Sequence, residues 1–115
     1  MQVDQELVDL VRKLFPTFTV DTEDSGEGTT RIIAGFLSLE PRTVKCPSLI
    51  GVRQLPGWLA CLENGEDCVE LYEGPNLEQA LIVMAQEYAK WKVAYEFQKY
   101  NPSQTVDKGM YHYWN

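Results

Sequence analysis

The sequence is poor in the groups on which most enzymes rely. Its one histidine, His112, lies close to the last residue, where catalytic geometry is hard to hold, so a serine or cysteine triad is disfavoured. The one glycine cluster, at residues 25–28, lies among carboxylates that would repel a phosphate. We therefore predict a non-enzymatic protein with no cofactor.

Cysteine is also scarce and is not spaced for metal binding. Cys46, Cys61 and Cys68 contain no C-x-x-C pair, which excludes the usual zinc pattern, and three is an odd number for a disulfide framework. The carboxylates at residues 63–67 lack the spacing of a calcium loop. The sequence predicts free structural thiols and no metal site.

Long apolar runs are absent as well. The longest nearly uncharged run, around residues 80–85, is far shorter than the ~20 residues that cross a bilayer. The first ten residues carry acids where a signal peptide carries bases. We expect a cytoplasmic protein that makes no membrane contact.

Positive charge is in deficit, and the excess acid is concentrated in two blocks. The net charge is −7, with four acids at residues 21–28 and five at residues 63–73. Between the blocks, the chain is locally basic at Arg31, Arg42, Lys45 and Arg53. Direct nucleic-acid binding is not expected, because affinity for phosphates needs a cationic surface. The acidic residues predicted to contact a partner are Glu63, Glu66, Asp67 and Glu70.

Apolar periodicity predicts a helix near each end of the chain. The first covers about residues 4–14, with acids at its start and bases at its end. The second runs over about residues 76–100, from a cap at Pro75 or Asn76 to the Asn101-Pro102 stop.

The long helix carries two apolar stripes on nearly opposite sides. The inner stripe comprises Leu77, Leu81, Met84, Tyr88, Trp91 and Tyr95, and the outer stripe comprises Ile82, Ala89, Val93 and Phe97. A surface helix packed on a sheet needs only one such stripe. The outer stripe is therefore predicted either to be covered by the first helix or the C-terminal tail, or to bind a partner through Ile82, Val93 and Phe97.

Four or five strands are predicted between the helices. Residues 17–20 are predicted to form a first strand, and residues 31–40, which are apolar on both faces, a central strand; residues 21–30 form an exposed loop. Two prolines break up residues 41–48, and residues 49–55 form a further strand. Residues 58–63 and 67–72 flank an Asn-Gly turn and are read as a hairpin; the competing interpretation is a short helix over 57–63.

This order of elements predicts an α+β fold: a single small domain in which the long C-terminal helix packs across an antiparallel sheet and a short helix precedes the sheet. Residues 1–102 form the domain, and residues 103–115 form an aromatic tail. The tail contains Tyr111, Tyr113 and Trp114, whose residue types are enriched at interfaces. It is expected to dock either on its own domain or on a partner.

The sequence favours a protein-interaction module, such as an adaptor, assembly factor or chaperone-like protein. Its aromatic and acidic surfaces would bind a protein partner, possible partners being a protein with a basic surface and a second copy of the chain. One alternative is an acidic inhibitor, of the anti-defence or immunity type, that blocks a nucleic-acid-binding enzyme. Another is a small enzyme or ligand-binding domain with a pocket between sheet and helix.

Overall fold

The computed structural model describes residues 3–24, 28–64 and 67–100. It confirms the α+β fold: a five-stranded antiparallel sheet whose strands follow chain order, a short N-terminal helix and a long C-terminal helix. The predicted tail, 103–115, with Tyr111, Tyr113 and Trp114, lies outside the described residues. The elements are α1 (Gln5–Leu14), β1 (Val20–Asp24), β2 (Thr30–Ala34), β3 (Leu37–Ser48), β4 (Gly51–Asn64), β5 (Asp67–Gly74) and α2 (Leu77–Tyr100).

Both helices begin where their capping residues predict. The Asp4 carboxylate accepts a hydrogen bond from the Leu7 backbone N–H at 2.9 Å, and the Asn76 side-chain oxygen accepts one from the Gln79 N–H at 3.1 Å. Each bond satisfies a backbone donor that the first helical turn leaves unpaired. The helix boundaries therefore follow from local sequence signals.

The first strand lies later in the chain than predicted. β1 begins at Val20 and includes three of the acids of the supposed loop, and it pairs with β2 from Val20↔Ala34 to Asp24↔Thr30. The predicted strand at 17–20 and the predicted loop over 21–30 are therefore wrong in these positions. Charged residues are tolerated in β1 because it is an edge strand with its side chains largely exposed.

Residues 31–40 form parts of two strands and not the single central strand that was predicted. Gly35 and Phe36 make a two-residue turn between β2 and β3, with Ala34 paired to Leu37. Gly35 has a φ of 61°, the region that glycine supplies at the first position of such a hairpin turn. A Cβ at this position would lie 2.8 Å from the Phe18 ring, so the turn also needs glycine for space.

β3 and β4 form one long hairpin that the sequence did not predict. Pro41 and Pro47 were expected to break residues 41–48, and 49–55 was expected to be a separate strand. Instead β3 continues to Ser48, residues 49–50 turn, and pairing runs from Ser48↔Gly51 to Leu37↔Leu62. The hairpin of β4 with β5 is confirmed, from Asn64↔Asp67 to Trp58↔Gly74, and the helical alternative for 57–63 is excluded.

The core lies between one face of the sheet and the inner stripe of α2. Phe18 is at its centre, with its ring centroid 4.9 Å from those of Tyr88 and Trp91 and 5.2 Å from that of Phe36. Trp91, Met84 and Ile32 are almost completely buried. Close aromatic pairs add to the free energy of simple area burial. Within the described residues, neither helix has the length and apolar character needed to cross a membrane.

We expect Trp91→Ala to lower the free energy of unfolding by about 3–5 kcal/mol, because it opens a cavity in this core. The control is Val69→Ala on β5, an exposed truncation; Trp91 is 2% exposed and Val69 is 51% exposed. An exposed truncation should change stability by less than about 0.5 kcal/mol. Urea unfolding of both variants gives the comparison, and equal losses would contradict the central place of Trp91 in the core.

Candidate interaction surfaces

The distal part of the β3–β4 hairpin extends beyond the rest of the sheet. β2 pairs with β3 only as far as Leu39, and β5 pairs with β4 only as far as Trp58. We call residues 41–56 the arm; a proline occupies each end of it. Since proline cannot donate to a strand ladder, it is tolerated where a strand's outer edge is unpaired, and Pro41 and Pro56 lie where lateral pairing stops.

The arm ends in apolar side chains that face solvent. Leu49 and Ile50 are fully exposed at the turn, and Val52 is 67% exposed. The turn is held by the Ser48 hydroxyl, which donates to the Gly51 carbonyl at 2.8 Å, and by Gly51 at a φ of 124°, which L-residues rarely adopt. We call Leu49, Ile50 and Val52 the arm tip. Fully burying one such side chain is favourable by about 1.5–3 kcal/mol.

The arm also carries only positive charge. It carries Arg42, Lys45 and Arg53 and no acid, although the protein as a whole is acidic. Arg42 lies at the base, where its guanidinium meets the Glu73 carboxylate at 2.7 Å. Sequence reasoning found the local excess of base but not the arm, because it took the prolines as strand breakers. The sequence did contain a signal for the arm: Pro41 and Pro56 lie at the two ends of a stretch that has no acid.

The face of the sheet turned away from α2 collects carboxylates. The register places Glu63 and Glu70 on this open face, together with Asp21, Glu23, Glu40 and Glu73. Two arginines partly neutralise it: Arg31 contacts Glu23 at 3.1 Å and Glu63 at 3.3 Å, and Arg42 contacts Glu73. The open face thus unites acids from both acidic blocks of the sequence.

The four acids predicted to contact a partner do not form one cluster. Glu63 and Glu70 share the open face, whereas Asp67 pairs with Asn64 one register step away and lies on the opposite face. Glu66 is outside the described residues. Acids that are close together in the sequence do not share a surface here, because alternate residues of a strand point to opposite faces of the sheet.

The outer stripe of α2 is exposed to solvent. Ile82 is 42% exposed, Val93 is 71% exposed and Phe97 is 50% exposed, and Ala89 is exposed between them. α1 contributes Leu7, Val8 and Val11 to the same buried core as the inner stripe. The short helix therefore does not cover the outer stripe.

Cys61 and Cys68 lie on neighbouring strands of the open face, a proximity that sequence alone did not reveal. Cys61 pairs with Glu70 and Cys68 with Glu63, so the two thiols are diagonal neighbours. Burial, followed by a hydrogen bond with Cys68, raises the pKa of Cys61 to about 12. The Cys61 thiol is therefore protonated at neutral pH, which does not support a role as a nucleophile.

Other chemical sites find little support in the described residues. No group of three potential metal ligands occurs there. An open cleft of about 350 Å³ lies at the base of the arm, lined by Thr29, Arg42 and Leu55 among others. The third functional hypothesis placed a pocket between the sheet and the long helix, and this cleft lies elsewhere.

Comparison with protein families, with curated proteins and with solved structures found no match to this chain.

The pKa of Cys61 is higher in the folded state than in the unfolded state. The free energy of unfolding should therefore depend on pH in the alkaline range. The unfolded thiol ionises near its ordinary value of 9.0 and the folded thiol near about 12. The contribution of the neutral thiol to stability is therefore complete below pH 9.0 and is lost as pH rises towards 12.

We expect the free energy of unfolding of the wild type to fall more steeply between about pH 8 and pH 11 than that of Cys61→Ala. Urea unfolding across this range measures the difference, and ionisation of lysines and tyrosines is common to both proteins. Parallel curves would contradict the raised pKa.

Proposed function

We propose that this protein is a non-enzymatic protein-interaction module, an adaptor or assembly factor, acting in the cytoplasm. The observation that carries the proposal is the arm tip, where Leu49 and Ile50 stand fully exposed at the end of a projecting hairpin. The sequence predicted binding through aromatic and acidic surfaces. The arm tip adds an apolar contact of a different chemical kind.

The arm tip does not stabilise the protein in isolation. A two-stranded ribbon without a third strand is of marginal stability in water, and its tip gains nothing from the core. Burial of Leu49, Ile50 and Val52 in a partner's apolar pocket would release that surface from water. Because the Ser48 hydrogen bond and the Gly51 conformation already hold the backbone of the turn, binding loses little backbone entropy there.

The charge distribution favours a partner with charges of both signs. The arm presents Lys45 and Arg53 beyond its base, and the open face presents six carboxylates against Arg31 and Arg42. Complementary charges around an apolar contact accelerate association and select the partner. We therefore propose an acidic rim around the pocket that receives the arm tip and a basic region opposite the open face.

The predicted acidic inhibitor of a nucleic-acid-binding enzyme remains a second candidate. The observation that favours it is the gathering of Glu23, Glu63, Glu70 and Glu73 on one face of the sheet. Three of these four are engaged by Arg31 or Arg42, which weakens the resemblance to a phosphate backbone. Its binding would also depend far more strongly on salt than that of an apolar tip.

The test compares two single substitutions of exposed apolar residues, Ile50→Asp at the arm tip and Val69→Asp on β5. Both positions are exposed, so both variants should keep the unfolding transition within about 0.5 kcal/mol of the wild type. The immobilised proteins would be used to recover partners from lysate of the producing cells at low and moderate salt. We expect a partner that binds the wild type and the Val69→Asp variant but not the Ile50→Asp variant.

Three results would count against the interaction module with an apolar arm. They are recovery of no partner by the wild type, equal recovery by all three proteins, and loss of binding by tenfold or more, roughly, on moving to moderate salt. The last result, with Ile50→Asp unaffected, would favour the acidic inhibitor.

A further inference from the structure

α2 exposes a second interaction surface that is independent of the arm. Four positions on its outward side, Ile82, Gln86, Ala89 and Val93, are all exposed. Their spacings are four, three and four residues, the a/d spacing at which helices pack side by side. The inner stripe of the same helix is occupied by the sheet, so a seam of exposed side chains runs along the outside.

The spacing of this seam, four, three and four residues, is the same in both directions along the helix, and an apolar residue occupies each end. If two copies of α2 lie antiparallel about a two-fold axis midway between Gln86 and Ala89, Ile82 of one copy faces Val93 of the other, and Gln86 faces Ala89. The two-fold axis repeats each contact, so the apolar pair of Ile82 with Val93 occurs twice, and at the centre the long Gln86 side chain lies against the small Ala89. A two-fold interface requires this kind of self-complementarity.

The charges along α2 favour the same antiparallel direction. The half at residues 77–87 carries Glu78 and Glu87 without a base, whereas the following half carries three lysines, at positions 90, 92 and 99, against one acid, Glu96. Lys90 already lies 3.1 Å from Glu87 of its own helix, and it would come within a turn of Glu87 of the second copy. Antiparallel helices also place the positive end of one helix dipole near the negative end of the other.

We propose that the outer side of α2 is a homodimer interface, in which the helix pairs antiparallel with α2 of a second copy through Ile82, Gln86, Ala89 and Val93. The seam spans about three helical turns, or roughly 16 Å. We expect buried surface on the order of 1,000 Å², which is the low end for stable interfaces, and a dissociation constant in the micromolar range. Such a dimer would present two arms to partners.

The experiment uses the full chain and three variants: Ile82→Lys, Val93→Glu and the double variant Ile82→Lys/Val93→Glu. Sedimentation velocity over a concentration series gives the dissociation constant of each. We expect each single variant to weaken the dimer by at least tenfold, roughly, because a charge then faces an apolar residue. In the double variant, the lysine introduced into each copy faces the glutamate introduced into the other, so we expect dimerisation to return to within about threefold of the wild type.

The rescue separates this geometry from the alternatives. A parallel pair would place the two introduced lysines against each other, so failure of the double variant to dimerise would overturn the antiparallel interface. A wild type that stays monomeric at high micromolar concentration would overturn the dimer, whether the tail covers α2 or another protein binds there. Val69→Glu serves as a control that should dimerise as the wild type does.

Circular dichroism establishes that each variant is folded. If Ile82→Lys unfolds, Ala89→Lys is the replacement, because Ala89 is exposed and lies in the centre of the proposed interface. The Ala89→Lys variant should be monomeric, and dimerisation of this variant with wild-type affinity would contradict the interface. These results do not depend on partner capture, so the dimer and the arm-mediated function can fail separately.

Discussion

The packing of Phe18 into the centre of the core connects the two layers of the protein. Its ring lies against Tyr88 and Trp91 of α2 on one side and over Gly35 on the other. A Cβ at position 35 would overlap that ring, so the β2–β3 turn and the seating of α2 depend on the same contact. Because the inner stripe is held there, the outer stripe must face away from the sheet.

Two prolines lie close to the points at which lateral strand pairing stops. The end of that pairing leaves the arm projecting from the sheet. Pro41 follows the last β2–β3 pair by two residues, and Pro56 precedes the first β4–β5 contact by two. Between them the ribbon continues without a third paired strand in the described chain and ends at Leu49 and Ile50. Proline on the outer edges also discourages further strands from adding there, so side chains rather than backbone groups are offered for contact.

Charge is separated in space as well as in sequence. Strands β1, β4 and β5 bring acids from two distant blocks to the open face, while the arm carries three cations and no acid. Arg42 links the arm to the open face through its ion pair with Glu73, and Arg31 of β2 pairs with Glu63 within the open face. These pairs are partly exposed, so they contribute little to stability; their effect is to limit how much of the acidic surface is available to a partner.

The sequence by itself determined the fold class, both helices and the β4–β5 hairpin, because caps, helical periodicity and an Asn-Gly turn act over a few neighbouring residues. It also identified the second apolar stripe of α2, but whether that stripe is covered or exposed was left open. Only the tertiary structure decided the turn at Gly35, the arm and the contact of Cys61 with Cys68. Each depends on residues distant in the chain: the Phe18 ring for the turn, the points where β2 and β5 stop pairing for the arm, and the β4–β5 register for the thiols.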